Sequence, residues 1–220
     1  MQALRKKYIG DKAFYYMILV LVIPMIVQKG VTSFVSLLDN IMVGRLGTEQ
    51  VAGVAIANQL IFVFNLCIFG AVSGAGIFTA QYFGSKNIDG VRNTLQLKLI
   101  IITVLTVIAV AIFTIMGGTL IRQYLMADTN CGDIELAFQY GKQYIFIIMI
   151  GLLPFAWSQC LSSTLRECGE TVPPMIASIA AVITNFVLNL ILIFGIMGAP
   201  RLGSNGAAIA TVVARFVELG

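Results

Sequence analysis

Residues able to hold a charged solute are few in this sequence, and they fall at helical spacings. Gln28, Thr32, Ser36 and Asp39 are separated by four, four and three positions. At about 100° per residue they share an arc of about 80° on one helix face. Asn58 and Asn65 lie seven apart, and Asn185 and Asn189 four apart, so each pair shares one face of its own helix. A carboxylate with amide and hydroxyl oxygens suits a proton or a hard cation rather than bond-breaking chemistry. The stripe either packs and hydrogen-bonds against neighbouring helices or lines a water-filled cavity. Asp39 is likewise either part of that cavity or an interfacial acid near the end of its helix, since Gly44 follows five positions later.

Other chemistries are excluded by what is missing. The chain has no His, which removes the commonest general base and metal ligand, so no Ser-His or Cys-His pair can form. It has no GxxxxGK[ST] loop for nucleotide phosphates. Cys67, Cys131, Cys160 and Cys168 are too dispersed for a metal or redox motif and read as small packing residues. An enzyme is not expected, nor a bound cofactor or structural metal. The net charge of +4 comes from basic residues at the ends of apolar runs, without the patch that nucleic acid requires.

The elements carrying these residues belong in a bilayer. Of 220 residues, 59% are hydrophobic and 11% charged, and mean hydropathy is +0.94. A soluble fold needs about a quarter of its residues charged. Apolar runs at residues 14–43, 51–82, 95–117, 138–165, 175–196 and 205–220 each approach or exceed the ~20 residues of a spanning helix. Ten-residue alternation, the mark of a membrane strand, is missing. The expected fold is therefore all-α, a bundle of six transmembrane helices over residues 14–220 preceded by a cytoplasmic tail over 1–13. Short breaks predict antiparallel neighbours in sequence order.

Lys and Arg set the orientation. Arg5, Lys6, Lys7, Lys12, Lys86, Arg92, Lys98 and Arg166 fall on one side, against Arg45, Arg122, Lys142 and Arg201 on the other, which predicts a cytoplasmic N-terminus. Pro24 interrupts a span of about 30 residues and is a candidate hinge. Lys29 lies about 80° around the helix from Asp39 and is read as snorkelling. Gly70 and Gly74 form a GxxxG pattern expected to mediate close helix packing. The last run is about 15 residues, roughly 23 Å of helix, which predicts a chain that continues.

Four segments in order carry a family resemblance: Leu38-Asp39-Asn40-Ile41-Met42-Val43-Gly44-Arg45-Leu46-Gly47 after Pro24, Ala80-Gln81-Tyr82-Phe83-Gly84-Ser85-Lys86, Leu165-Arg166-Glu167-Cys168-Gly169-Glu170-Thr171, and Asn205-Gly206-Ala207-Ala208-Ile209-Ala210-Thr211. Together they resemble the multidrug and toxic compound extrusion (MATE) family. The resemblance implies the first of two related six-helix bundles, with the second bundle absent. It implies secondary active efflux, exchanging H+ or Na+ for cationic amphipathic drugs, and the lack of a targeting segment in the sequence fits a bacterial inner membrane. Its cation site falls on Asp39, Asn185, Asn189 and Thr211, while Gln28, Thr32, Ser36, Asn58 and Asn65 would line the cleft. Several members carry Asp at the place of Asn189, which would leave Asp39 as the only carboxylate of that site. A flippase for lipid-linked oligosaccharides shares the architecture and would be marked by several basic cleft residues, of which only Lys29 is a candidate here.

Overall fold

The computed structural model describes residues 11–127, 133–195 and 201–220. Most of the expected tail, Cys131, and part of the segment before the last helix lie outside the described residues. Among those described, six α-helices and no strands occur: α1 (Lys12–Gly44), α2 (Thr48–Gly84), α3 (Ile88–Ala127), α4 (Ile134–Glu167), α5 (Val172–Phe194) and α6 (Ser204–Leu219). The first five are long and apolar enough to cross a membrane.

Local chemistry sets the helix ends. Asn87 Oδ1 accepts from Gly90 N at 2.9 Å and opens α3 seven residues before the apolar run begins. That run underestimates α3 because a helix continues past the hydrocarbon while its backbone bonds persist. Asp133 caps α4 by accepting from the backbone N–H groups of Glu135 and Leu136. Gly195, in the left-handed region at φ +69°, ends α5 at Phe194, two residues before the expected boundary.

Packing departs from sequence order. The α2–α3, α3–α4 and α5–α6 pairs are neighbours, but α1 barely touches α2 and packs against α5, while α4 packs on α2, α3 and α6 and only slightly on α5. The expectation of antiparallel neighbours thus fails at two of the five connections. Side-chain size is the reason. Buried Ala137, Gly141, Gly151, Ala156, Ser158 and Cys160 let three helices approach α4 closely, which leaves little room for a fourth. Helix α1 has only Met42 fully buried and stays at the periphery.

The close approach falls on different glycines from those expected. Gly70 and Gly74 have no neighbour within 4 Å of a Cβ position. At Gly53 a Cβ would lie 2.5 Å from the Ala137 carbonyl oxygen and 2.8 Å from Gly141 N, where α2 crosses α4 backbone to backbone. Gly53→Ala should lower stability by about 1–3 kcal/mol through overpacking. Gly70→Ala should be neutral or slightly stabilising, because Ala favours helix. Thermal unfolding of the two variants in detergent checks this, and equal midpoints would contradict it.

Lys98 is not a loop charge. It lies within α3, 1% exposed, where its Nζ donates to Glu167 of α4 and to Thr164 Oγ1 at 3.3 Å. Ser163 Oγ donates to Glu167 Oε1 at 2.6 Å. Removing Lys98 from the orientation count leaves seven basic residues against four, with the same sign.

Candidate functional site

Three helices bring the polar residues of the spans together. Asn185 and Asn189, one turn apart, occupy the face of α5 toward α1 and α6. Asn189 is 2% exposed, and its Nδ2 donates to Asp39 Oδ1 at 2.8 Å and to Asn185 Oδ1 at 3.2 Å. Asn185 Nδ2 donates to Thr211 Oγ1 at 3.3 Å, and Thr211 Oγ1 donates in turn to the Ala207 carbonyl at 2.9 Å. Asp39, the two amides and the α6 hydroxyl therefore form one connected group. Asn189 Oδ1 is buried with no hydrogen-bond partner, a lone acceptor inside this cluster.

The Asn185 amide can answer the charge on Asp39. Turning it over places its nitrogen 2.8 Å from Asp39 Oδ2 and its oxygen 3.3 Å from Thr211 N. An ionised carboxylate accepts from the amide nitrogen, whereas a protonated one donates to the amide oxygen. In that orientation its nitrogen also lies 3.2 Å from Asn189 Nδ2, so the Asn189 bond to Asn185 Oδ1 is given up.

The cluster opens into a cavity of about 540 Å³ between α1, α2, α4, α5 and α6. Thr32, Ser36 and Asn58 line it with the cluster residues, so much of the expected cleft is assembled. Two expected lining residues sit elsewhere. Gln28 Nε2 donates to Ser178 Oγ at 2.6 Å and its Oε1 accepts from Arg166 Nη2 at 3.4 Å, which ties α1 to α5 and α4 instead of facing the cavity. Asn65 lines an adjoining cavity of about 260 Å³ between α2, α4 and α6. Both residues share helix faces with cavity residues, but a face wider than one neighbour is divided among several. Pro24 lies within the continuous α1, outside the lining, and Lys29 is exposed, beside Thr32, Ser36 and Asn40 along a separate groove of α1.

Sequence reasoning missed Tyr144, Ser178, Arg215 and Glu218, which also line the larger cavity. Tyr144 OH donates to Asn58 Oδ1 at 3.4 Å. Ser178 Oγ donates to Glu218 Oε1 at 3.0 Å, and Arg215 Nη1 lies 3.5 Å from Glu218 Oε2. Asp39 is therefore not the only carboxylate of the cleft. The missed signal was available: Thr211, Arg215 and Glu218 follow the same four-and-three spacing that exposes the α1 stripe.

The MatE family model matches residues 24–191. The probable multidrug resistance protein NorM of Thermotoga maritima is 28% identical over 200 residues, covering 91% of this chain and 42% of that protein. Its counterpart in Bacillus licheniformis is 27% identical, covering 89% and 42%. A MATE crystallised in complex with MaD3S superposes with a TM-score of 0.81 at 24% identity, over 92% of this chain and 43% of that one. The chain spans about two-fifths of the length of these relatives and corresponds to their N-terminal half. With its six helices assembled as in that structure and the family model matched over well beyond half its length, the chain belongs to the MATE family, whose members are membrane transporters and not enzymes.

Proposed function

We propose that the full-length protein is a secondary active exporter that exchanges H+ or Na+ for cationic amphipathic compounds. The observation that carries this reading is the convergence of Asp39, Asn185, Asn189 and Thr211 from three helices on one cavity. An ionised Asp39 supplies the countercharge for Na+, with Asn189 Oδ1 as a free neutral ligand. A protonated Asp39 is held by the Asn185 oxygen instead. The chain would be the N-terminal bundle of a two-bundle machine, and alternating access would come from rocking against the companion bundle. Because α1 rests mainly on α5, a bend at Pro24 would shift Thr32, Ser36 and Asp39 chiefly against α5, and would also strain the Gln28 bond to Arg166 of α4. The relatives' names, multidrug resistance proteins, support drug-like cargo.

Flux decides between this and other readings. In liposomes carrying the full-length protein, ethidium should move against its gradient when a Na+ or pH gradient is imposed. Ethidium left at equilibrium under both would refute export. The flippase alternative is not favoured: among the described residues Arg215 is the only basic residue of the larger cavity, and it already faces Glu218.

The seven-to-four distribution of basic residues supports a cytoplasmic N-terminus. In a background lacking native cysteines, Lys86→Cys should be protected from an impermeant maleimide applied to intact cells, while Arg45→Cys should be labelled. The reverse pattern would invert the topology.

A further inference from the structure

A cavity of about 490 Å³ opens at the end of the bundle where α1 and α5 finish and α2, α4 and α6 begin, and it shares no lining residue with the cleft of Asp39. Arg45, next after α1, and Arg201, just before α6, both border it. Neither sits on a slack segment. Arg45 N donates to the Met42 carbonyl at 3.3 Å and Leu46 N to the Val43 carbonyl at 2.9 Å, so the chain turns directly on the end of α1. Across the cavity Leu202 N donates to the Leu192 carbonyl at 3.0 Å, and Gly203 takes a left-handed φ of +56°. These bonds lash the backbone beside Arg201 to the end of α5. Gln50 Oε1 accepts from Ser204 N at 3.2 Å, which leaves its Nε2 without a partner among the described residues. The described ion pairs are Lys98 with Glu167 and Arg215 with Glu218, so neither guanidinium of this cavity has a carboxylate, and Glu49 at the start of α2 is beyond ion-pair reach of both. The rest of the wall is apolar, from Leu46, Ile193, Phe194 and Leu202, beside a half-buried Tyr140. Two cations without an acid, set at the end of membrane-spanning helices against an apolar wall, are complementary to a ligand with an anionic head and a hydrocarbon body.

We infer that Arg45 and Arg201 hold the phosphate of an anionic phospholipid, whose glycerol and upper acyl carbons rest on Leu46, Phe194 and Leu202. Each guanidinium fork can take two phosphate oxygens at once, and its weak hydration lowers the cost of binding them beside apolar groups. Tyr140 and the Gln50 amide supply donors for the oxygens of the headgroup. A free phosphate has the same charge but leaves the apolar wall in water, whereas basic residues between helix ends at the bilayer surface stand where lipid headgroups lie. The lipid would bridge the turn after α1 to the segment before α6. This site goes beyond the exporter reading and does not depend on which solute is exported.

The test is thermal unfolding of the full-length protein, delipidated in detergent, with four separate additions: dioleoyl phosphatidylglycerol, dioleoyl phosphatidylcholine, glycerophosphoglycerol and inorganic phosphate. A ligand that binds only the folded state raises the midpoint. Phosphatidylglycerol should raise it at least about 3 °C further than phosphatidylcholine, which has the same chains and no net charge. Glycerophosphoglycerol, the same headgroup without chains, and phosphate should leave it unmoved at equal concentration. Arg45→Gln combined with Arg201→Gln should erase the difference between the two lipids. Arg122→Gln, which removes an exposed charge at the same end but outside the cavity, should preserve it. Each single cavity substitution should lose most of the difference, and these decide the matter if the double variant does not fold. Equal midpoints with the two lipids overturn the proposal; that result is expected if the arginines only answer the ends of α1 and α5 or meet an acid of the companion bundle. A difference that survives the double substitution, or that Arg122→Gln removes equally, shows attraction to a charged surface and overturns it too. A matching rise with glycerophosphoglycerol or phosphate makes the cavity a site for free anions and overturns the assignment to lipid.

Discussion

If the full-length protein is the proposed exporter, Asp39→Asn should abolish its cation-driven efflux while leaving its expression near normal. Asn keeps the size of the side chain and an oxygen for the Asn189 Nδ2 bond, so the α1–α5 contact survives. What disappears is the one group of the cluster able to carry a proton or to neutralise Na+. A coupling of about 1–3 kcal/mol means that cation and drug change each other's affinity by a factor of roughly 5–150, and that linkage disappears with the carboxylate. Drug binding should be at least partly retained, because Thr32, Ser36, Asn58 and Tyr144 still line the cavity. Asn189→Ala separates the ions. It removes a donor to Asp39 and the unpartnered Oδ1, so export should suffer severely under a Na+ gradient and more mildly under a pH gradient. Flux in proteoliposomes under each gradient measures both. Wild-type rates for Asp39→Asn under both gradients would make Asp39 an interfacial acid only.

Glu167→Ala destabilises the bundle by about 3–5 kcal/mol, the usual cost of stripping one partner from a buried ion pair. Lys98 is 1% exposed, and without Glu167 its ammonium keeps only Thr164 Oγ1 as a described acceptor. Such a loss is a large share of the 5–15 kcal/mol that holds a typical domain folded. The pair clamps the start of α3 to the end of α4, next to Gly76 of α2, where a Cβ would collide with the Glu167 carboxylate. Replacing both partners, Lys98→Met with Glu167→Leu, removes charge and countercharge together and should restore much of the loss. Unfolding midpoints of the single and double variants in detergent test this. A Glu167→Ala midpoint equal to that of the wild type would show that the ammonium finds water or another partner.

Much of the site was legible in the sequence because a polar residue in a bilayer helix is costly enough that its spacing carries information. The α1 stripe and the Asn185/Asn189 pair were visible for that reason. Arg215 and Glu218 obeyed the same rule, but α6 is short and their charges resembled those of a helix end. Gln28 and Asn65 show the converse limit: helical spacing names a face, not the neighbour to which that face turns.

By itself the sequence determined the membrane class, the six helices and the residues that one polar face must hold together. These depend on hydrophobicity and on a fixed 100° step, both local to a single helix. Only the tertiary structure decided that α1 lies beside α5, that α2 and α4 meet at Gly53 and Gly141, that Lys98 is buried against Glu167, and that Arg215 enters the cleft of Asp39. Each of these depends on how side chains far apart in the chain fit one another in size and charge across helices. No periodicity within one helix records that fit, because the same face could be closed by any partner of matching shape.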